Sequence, residues 1–198
     1  MFNLSDKTFN TLSKIQKVLL AIMAIAAIIT WISMIFTAKA IPDYNAKIRV
    51  YSFALTYLVF AGAMICGFIY ASKGYSKEAH NYYKAMMCFY ALSALIMIIT
   101  AIRTSGFGLG ELVAIIKIVL LLILGFGKDL GKKNTWIIFY IVLAIELLFS
   151  PTIQLINQLS GEALLARIPS AIARLVIAGI LGLCIEAKYR DKDARGTV

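Results

Sequence analysis

The chain has 198 residues, of which 61% are apolar and only 15% are charged. A soluble domain of this length cannot bury so much apolar material, so the composition excludes an ordinary soluble enzyme. The formal net charge of +10 would suggest nucleic acid in a soluble protein. Here the basic residues lie between long apolar runs, which indicates a lipid bilayer as the partner and no nucleic acid.

Long apolar runs predict the membrane-spanning helices. Three runs carry no charge, and they cover residues 18–38, 50–72 and 85–102. Each has at least 18 residues, which at about 1.5 Å per residue reaches across most or all of the ~30 Å hydrocarbon core. Three further stretches contain ionisable residues, and they cover residues 111–127, 135–151 and 168–187. We therefore predict an all-α polytopic integral membrane protein, a compact bundle of six transmembrane helices.

The basic residues predict the orientation of this bundle. Thirteen lie on the amino-terminal side of the membrane: Lys7, Lys14, Lys17, Lys73, Lys77, Lys84, Lys128, Lys132, Lys133, Lys188, Arg190, Lys192 and Arg195. Five lie on the other side: Lys39, Lys47, Arg49, Arg103 and Arg167. Positive charge accumulates on the cytoplasmic face, so both termini are expected in the cytoplasm and the protein in the plasma (cell) membrane as a multi-pass protein.

Three regions follow from these patterns. Residues 1–17 form an N-terminal amphipathic interfacial segment, because apolar residues recur there at helical spacing between lysines. Residues 18–187 form the six-helix transmembrane domain, and residues 188–198 form a basic cytoplasmic tail. No linker rich in proline, glycine or serine separates further domains.

An internal repeat is one interpretation of the even-numbered helices. They contain the similar segments ALTYLV at 54–59, AIIKIV at 114–119 and AIARLV at 171–176. Three tandem helix hairpins would explain the similarity, and would place Tyr57, Lys117 and Arg174 at equivalent depth. Chance similarity is the alternative, because apolar helices draw on few residue types.

Ionisable residues within the last three spans are the candidate binding site. An intramembrane charge costs roughly 2.5–3.5 kcal/mol on insertion scales, so it should face a partner or water. By helical rise, Lys117, Glu146 and Arg174 lie at similar depth below the outer surface. We predict an outward-facing pocket in which these three residues, with Tyr57 as a fourth wall, bind an anionic or zwitterionic solute.

Other interpretations of these charges remain open. In one alternative, Glu146 pairs with Lys117 or Arg174 solely to fix helix register. The protein would then be a structural or regulatory membrane protein whose buried charges form only packing salt bridges. Glu146 can also relay protons or ions, and an oligomeric channel subunit is a further alternative. Glu186, near the end of the last span, is interpreted as an interfacial charge.

The sequence lacks the common motifs for catalysis and cofactor binding. No HExxH or GxSxG motif occurs, and no span contains histidine, so we expect no enzymatic activity, no cofactor and no metal. Expected partners are the bilayer, a small anionic or zwitterionic solute, and a membrane protein partner or a second copy of the chain.

In size, helix count and outward pocket, the chain resembles the substrate-binding subunits of energy-coupling-factor vitamin transporters. The resemblance implies a subunit that binds a small solute and docks on a transmembrane partner. That family commonly carries Ala-x-x-x-Ala in its first helix, whereas the alanines at 21, 24, 26 and 27 are never four residues apart.

Overall fold

A computed structural model describes residues 4–127, 130–146 and 168–193. These residues are all-α, as the sequence predicts. Their helices are α1 (Asp6–Ala40), α2 (Tyr44–Ser72), α3 (His80–Ser105), α4 (Leu109–Phe126), α5 (Lys132–Ala144) and α6 (Ile168–Asp193). Helices α1 to α4 belong to one compact unit, residues 4–127, and α5 and α6 belong to a second.

Helix α1 is a single helix of 35 residues. It begins after Ser5, whose Oγ accepts a hydrogen bond from the Thr8 backbone N–H at 3.2 Å, as an N-cap side chain does. At 1.5 Å per residue the helix is about 50 Å long, well beyond the ~30 Å hydrocarbon core. The predicted interfacial segment and first span are therefore one continuous helix.

Short connections join consecutive helices of the first unit. Capping contacts define where these helices begin and end. Asp43 starts α2, because its Oδ2 accepts from the Ala46 N–H at 2.6 Å. Gly106 ends α3 with φ of +84°, in the left-handed region that favours glycine. The Glu111 side chain then accepts from the Gly108 N–H at 2.8 Å and stabilises the first turn of α4.

Consecutive helices pack side by side in the first unit: α1 on α2, α2 on α3 and α3 on α4. Gly67 of α2 lies where three helices approach closely. A Cβ at this position would lie 2.8 Å from Met86 Sδ of α3 and 3.1 Å from Leu20 Cδ2 of α1. Small residues allow this approach between membrane helices.

Helices α1 to α4 are each long and apolar enough to cross a membrane. The outer face of α1 is apolar along most of its length, with the exposed residues Ile15, Val18, Ile22, Ile25, Ile29, Ile32 and Phe36. In water such a surface would aggregate, whereas lipid tails solvate it. These features support a membrane protein, while the total of six spans and the cytoplasmic termini stay predictions.

The second unit is built from α5 and α6, which pack on each other. Gly182 of α6 faces α5, since a Cβ there would lie 3.4 Å from Phe139 and 3.9 Å from Trp136. The rings of Trp136 and Phe139 meet edge to face, with centroids 5.4 Å apart. An aromatic pair on α5 thus fills the groove beside a glycine on α6.

The packing at Gly67 gives a first prediction. Replacing Gly67 with Ala should lower thermal stability relative to Gly62→Ala, on the same helix, by about 1–3 kcal/mol because of overpacking. The control is matched, since a Cβ at Gly62 meets Phe89 at an ordinary 3.5 Å and both variants gain the same helix propensity. Thermal unfolding in detergent measures the difference, and equal melting temperatures would contradict the close approach.

Candidate functional site

Lys117 lies near the middle of α4. It is eight residues after the first residue of the helix, or about 12 Å along its axis. The side chain is half-buried, and Nζ lies 5.9 Å from the centroid of the Tyr90 ring on α3. Tyr90 is itself buried and contacts Phe60 of α2, with ring centroids 6.1 Å apart. A cation within a candidate span is therefore held against an aromatic pair.

Tyr57 belongs to the same unit as Lys117. It precedes Phe60 by three residues on α2, so the two side chains lie on neighbouring parts of the helix surface. The Tyr57 side chain is exposed, at 37% of its maximum. Its ring is available at the helix surface one turn from the pair of Phe60 and Tyr90.

The other two predicted site residues belong to the second unit. Glu146 is half-buried and lies two residues after the end of α5. The backbone of Arg174 lies in α6, but its side chain is outside the described residues. The structure thus describes Lys117 and Tyr57 in one unit and Glu146 in the other, and the four-residue pocket stays a prediction.

Glu186, which the sequence predicts as an interfacial charge, is buried beside two cations. It is only 2% exposed, the single formally charged residue among the described ones that is buried to this degree. Its Oε1 lies 3.5 Å from Lys132 Nζ of α5 and 3.7 Å from Arg190 Nε of α6. The i,i+4 spacing of Glu186 and Arg190 is visible in the sequence, whereas Lys132 is 54 residues away along the chain.

The ion pairs of Glu186 are loose. Charge-assisted hydrogen bonds are typically about 2.7–2.9 Å long, shorter than both distances here. The cations keep contact with solvent, since the Lys132 and Arg190 side chains are 20% and 24% exposed. The second carboxylate oxygen, Oε2, is buried without a hydrogen-bond partner among the described residues. Glu186 therefore positions two cations at the end of the α5–α6 pair without binding either tightly.

A second polar contact joins the same ends of α5 and α6. The Tyr189 hydroxyl donates to the Leu130 carbonyl oxygen at 2.7 Å and also hydrogen-bonds the Thr135 hydroxyl. Tyr189 and Thr135 are both buried, so these hydrogen bonds satisfy polar groups that water does not reach. No sequence motif marks this contact, because it joins residues more than 50 positions apart.

The first unit contains a buried polar contact of its own, which sequence analysis also missed. The Tyr75 hydroxyl, from the connection between α2 and α3, donates to Gln16 Oε1 at 2.8 Å and lies 3.0 Å from Ser13 Oγ. Tyr75 has a positive φ of 60° and its ring contacts Phe9 at 5.7 Å. The connection is thereby fastened to the beginning of α1.

Residues with metal-binding or nucleophilic chemistry are scattered. Within residues 4–127, 130–146 and 168–193, no three His, Cys, Asp or Glu side chains are grouped as metal ligands. His80 stacks on Tyr83, with centroids 5.3 Å apart. Cys66, Cys88 and Cys184 are not joined in disulfide bonds.

Comparison with known proteins returned no relative: no family model, curated protein or solved structure matches the chain.

The ion pairs of Glu186 give a second prediction. Glu186→Gln removes the charge that Lys132 and Arg190 share, so the variant should lose about 1–3 kcal/mol of stability, since both cations are only partly buried. Thermal unfolding in detergent measures the loss. Glu78→Gln, at an exposed position, is the control and should change stability by less than about 0.5 kcal/mol. Identical melting temperatures for both variants would show that Glu186 contributes no net stability.

Proposed function

We propose that this protein is a membrane-embedded subunit that binds or transports a small anionic or zwitterionic solute, with Lys117 as the binding cation. The observation that carries the proposal is the Lys117 ammonium, half-buried in a candidate span and placed against the Tyr90 ring. The proposed setting is the cell membrane, with six spans, both termini in the cytoplasm and no enzymatic activity.

The energetics favour a functional reason for Lys117. A lysine at the centre of a span costs about 2.5–3.5 kcal/mol. A cation–aromatic contact such as that with Tyr90 returns about 0.5–2 kcal/mol. A leucine at position 117 would carry no such cost. Because an ionisable residue within a span usually serves a function, solute binding is the role that we propose for Lys117.

The chemistry of the surroundings suits a solute with an acidic group and an apolar body. An ammonium group donates in three directions, so Lys117 can serve a carboxylate or phosphate while it contacts the ring of Tyr90. Phe60, Tyr90 and the exposed Tyr57 offer aromatic surface near this cation. Such a combination of one fixed charge with aromatic walls is typical of small-molecule sites.

Glu146 and Arg174 complete the proposal. A carboxylate at Glu146 suits the cationic group of a zwitterion, and a guanidinium at Arg174 suits a second acidic oxygen. Resemblance to the substrate-binding subunits of energy-coupling-factor transporters is consistent with this role, although that resemblance rests on size, helix count and the proposed pocket.

A structural or regulatory role is the second candidate, and Glu186 favours it. Its ion pairs with Lys132 and Arg190 join α5 to α6, which is what a charge used only for packing does. On this alternative the Lys117 ammonium serves helix packing as well, and no solute changes the stability of the protein.

Solute-dependent stabilisation tests the proposal. Purified protein in detergent is heated in the presence of carboxylate, phosphate and amino acid solutes, and the melting temperature is recorded. A bound solute at 100 times its Kd should add about 2.7 kcal/mol of stability. Lys117→Met should abolish the effect, and Lys39→Met, at an exposed end of α1, should retain it.

Ring substitutions extend the test to the aromatic wall. Tyr90→Phe keeps the ring and should keep the solute effect, whereas Tyr90→Leu should weaken it. Glu146→Gln and Arg174→Met measure the contributions of the second unit. A protein that no solute class stabilises, or one in which Lys117→Met leaves the stabilisation intact, would contradict the proposal and support the structural alternative.

A further inference from the structure

Two lysine-rich segments lie at the same end of the first unit, away from Lys117. One is the beginning of α1, and the other is the connection from α2 together with the first turns of α3. We call the six lysines the lysine surface; they are Lys7, Lys14, Lys17, Lys73, Lys77 and Lys84. They are far apart in sequence, and the packing of α1 on α2 and of α2 on α3 brings the two groups to one end.

The buried Tyr75 connects the two segments directly. Its hydroxyl donates to Gln16 Oε1 at 2.8 Å and lies 3.0 Å from Ser13 Oγ, and its ring packs on Phe9 at 5.7 Å. All three partners lie among the α1 residues that carry Lys7, Lys14 and Lys17. Tyr75 itself lies between Lys73 and Lys77.

The lysine surface has an excess of positive charge. All six side chains are exposed or half-buried, and none forms an ion pair with a described residue. Only Asp6 and Glu78 supply negative charge in these segments. Lys73 lies over the ring of Tyr82, with Nζ 5.3 Å from its centroid. Like charges held together in this way repel one another, and an external anion relieves the repulsion.

Apolar residues adjoin the lysines on α1. Ile15 and Val18 are 50% and 59% exposed and begin the apolar outer face of this helix. Lys14 and Val18 are four residues apart, so they are neighbours on the helix surface. A ligand that fits both features has a phosphate for the lysines and hydrocarbon for the valine and isoleucine. A soluble anion would use only the first.

We propose that the lysine surface is a binding site for the phosphate headgroups of anionic phospholipids, whose acyl chains lie along the exposed start of α1. Clusters of four to eight basic residues at a membrane surface typically bind anionic lipid, and each lysine contributes about fivefold in affinity. The inference concerns different residues from the solute site and is independent of it.

The test is a titration of the full chain in detergent with dioctanoyl phosphatidylglycerol, with dioctanoyl phosphatidylcholine and inorganic phosphate as comparison ligands. Native mass spectrometry counts the bound lipid. Wild-type protein should retain phosphatidylglycerol in preference to phosphatidylcholine. The triple variant K7Q/K14Q/K17Q should lose on the order of a hundredfold in affinity for the anionic lipid.

The control triple variant K39Q/K47Q/R49Q removes the same charge from the opposite end of the unit and should bind like wild type. Equal losses in the two triple variants would overturn the location, because net charge alone would then explain the binding. Equal retention of the two lipids would overturn the headgroup preference. Competition by inorganic phosphate at lipid-like concentrations would overturn the lipid as ligand.

Tyr75→Phe tests whether lipid binding needs the contact between the two lysine-rich segments or only the lysines. This variant keeps all six lysines and the ring but removes the hydroxyl from Gln16. We expect several-fold weaker phosphatidylglycerol binding, whereas Tyr82→Phe should bind like wild type. Unchanged affinity in Tyr75→Phe, with its helix content intact by circular dichroism, would show that the two segments bind lipid separately and would overturn the shared surface.

Discussion

An apolar bundle provides little solvation for charge, and this constraint explains where the charged residues of the protein lie. Backbone polar groups satisfy one another within the helices, as they must in hydrocarbon. A helix does not satisfy the charges of its side chains in this way, so each charge needs an oppositely charged partner, water or a lipid headgroup. In the described residues, six lysines lie in the first four turns of α1, in the α2–α3 connection or in the first turns of α3, and only a few charges lie within the central part of a helix or are buried. These few charges are the candidates for a specific structural or functional role.

Glu186 and Lys117 have different surroundings. Glu186 is buried beside Lys132 and Arg190, and all three belong to one helix pair, so their attraction serves the packing of α5 and α6. Lys117 lies near the middle of α4, with its ammonium group near the ring of Tyr90 of α3. Glu186 is therefore a packing charge, whereas solute binding by Lys117 is a proposal.

Buried hydroxyl groups of tyrosine determine how distant segments meet in both units. Tyr75 connects the α2–α3 segment to α1, and Tyr189 connects the end of α6 to the residues before and within α5. Each hydroxyl is satisfied by a specific acceptor in an apolar environment, where an unmade hydrogen bond is costly. Such contacts select one register between helices whose apolar faces alone would allow several.

The sequence by itself determined the helical class, the first four candidate spans and the lysine-rich ends, because these depend on run length and local charge. It also placed Lys117 within a candidate span, since that requires only a position within an apolar run. It did not reveal that Glu186, close to Lys188 and Arg190 in sequence, is buried against Lys132 of α5. The tertiary structure alone decided that pairing, the Tyr90 ring beside Lys117 and the contact of Tyr75 with α1. The reason is physical: apolar helices share few residue types, so their pattern specifies which segments are helical but not which faces meet.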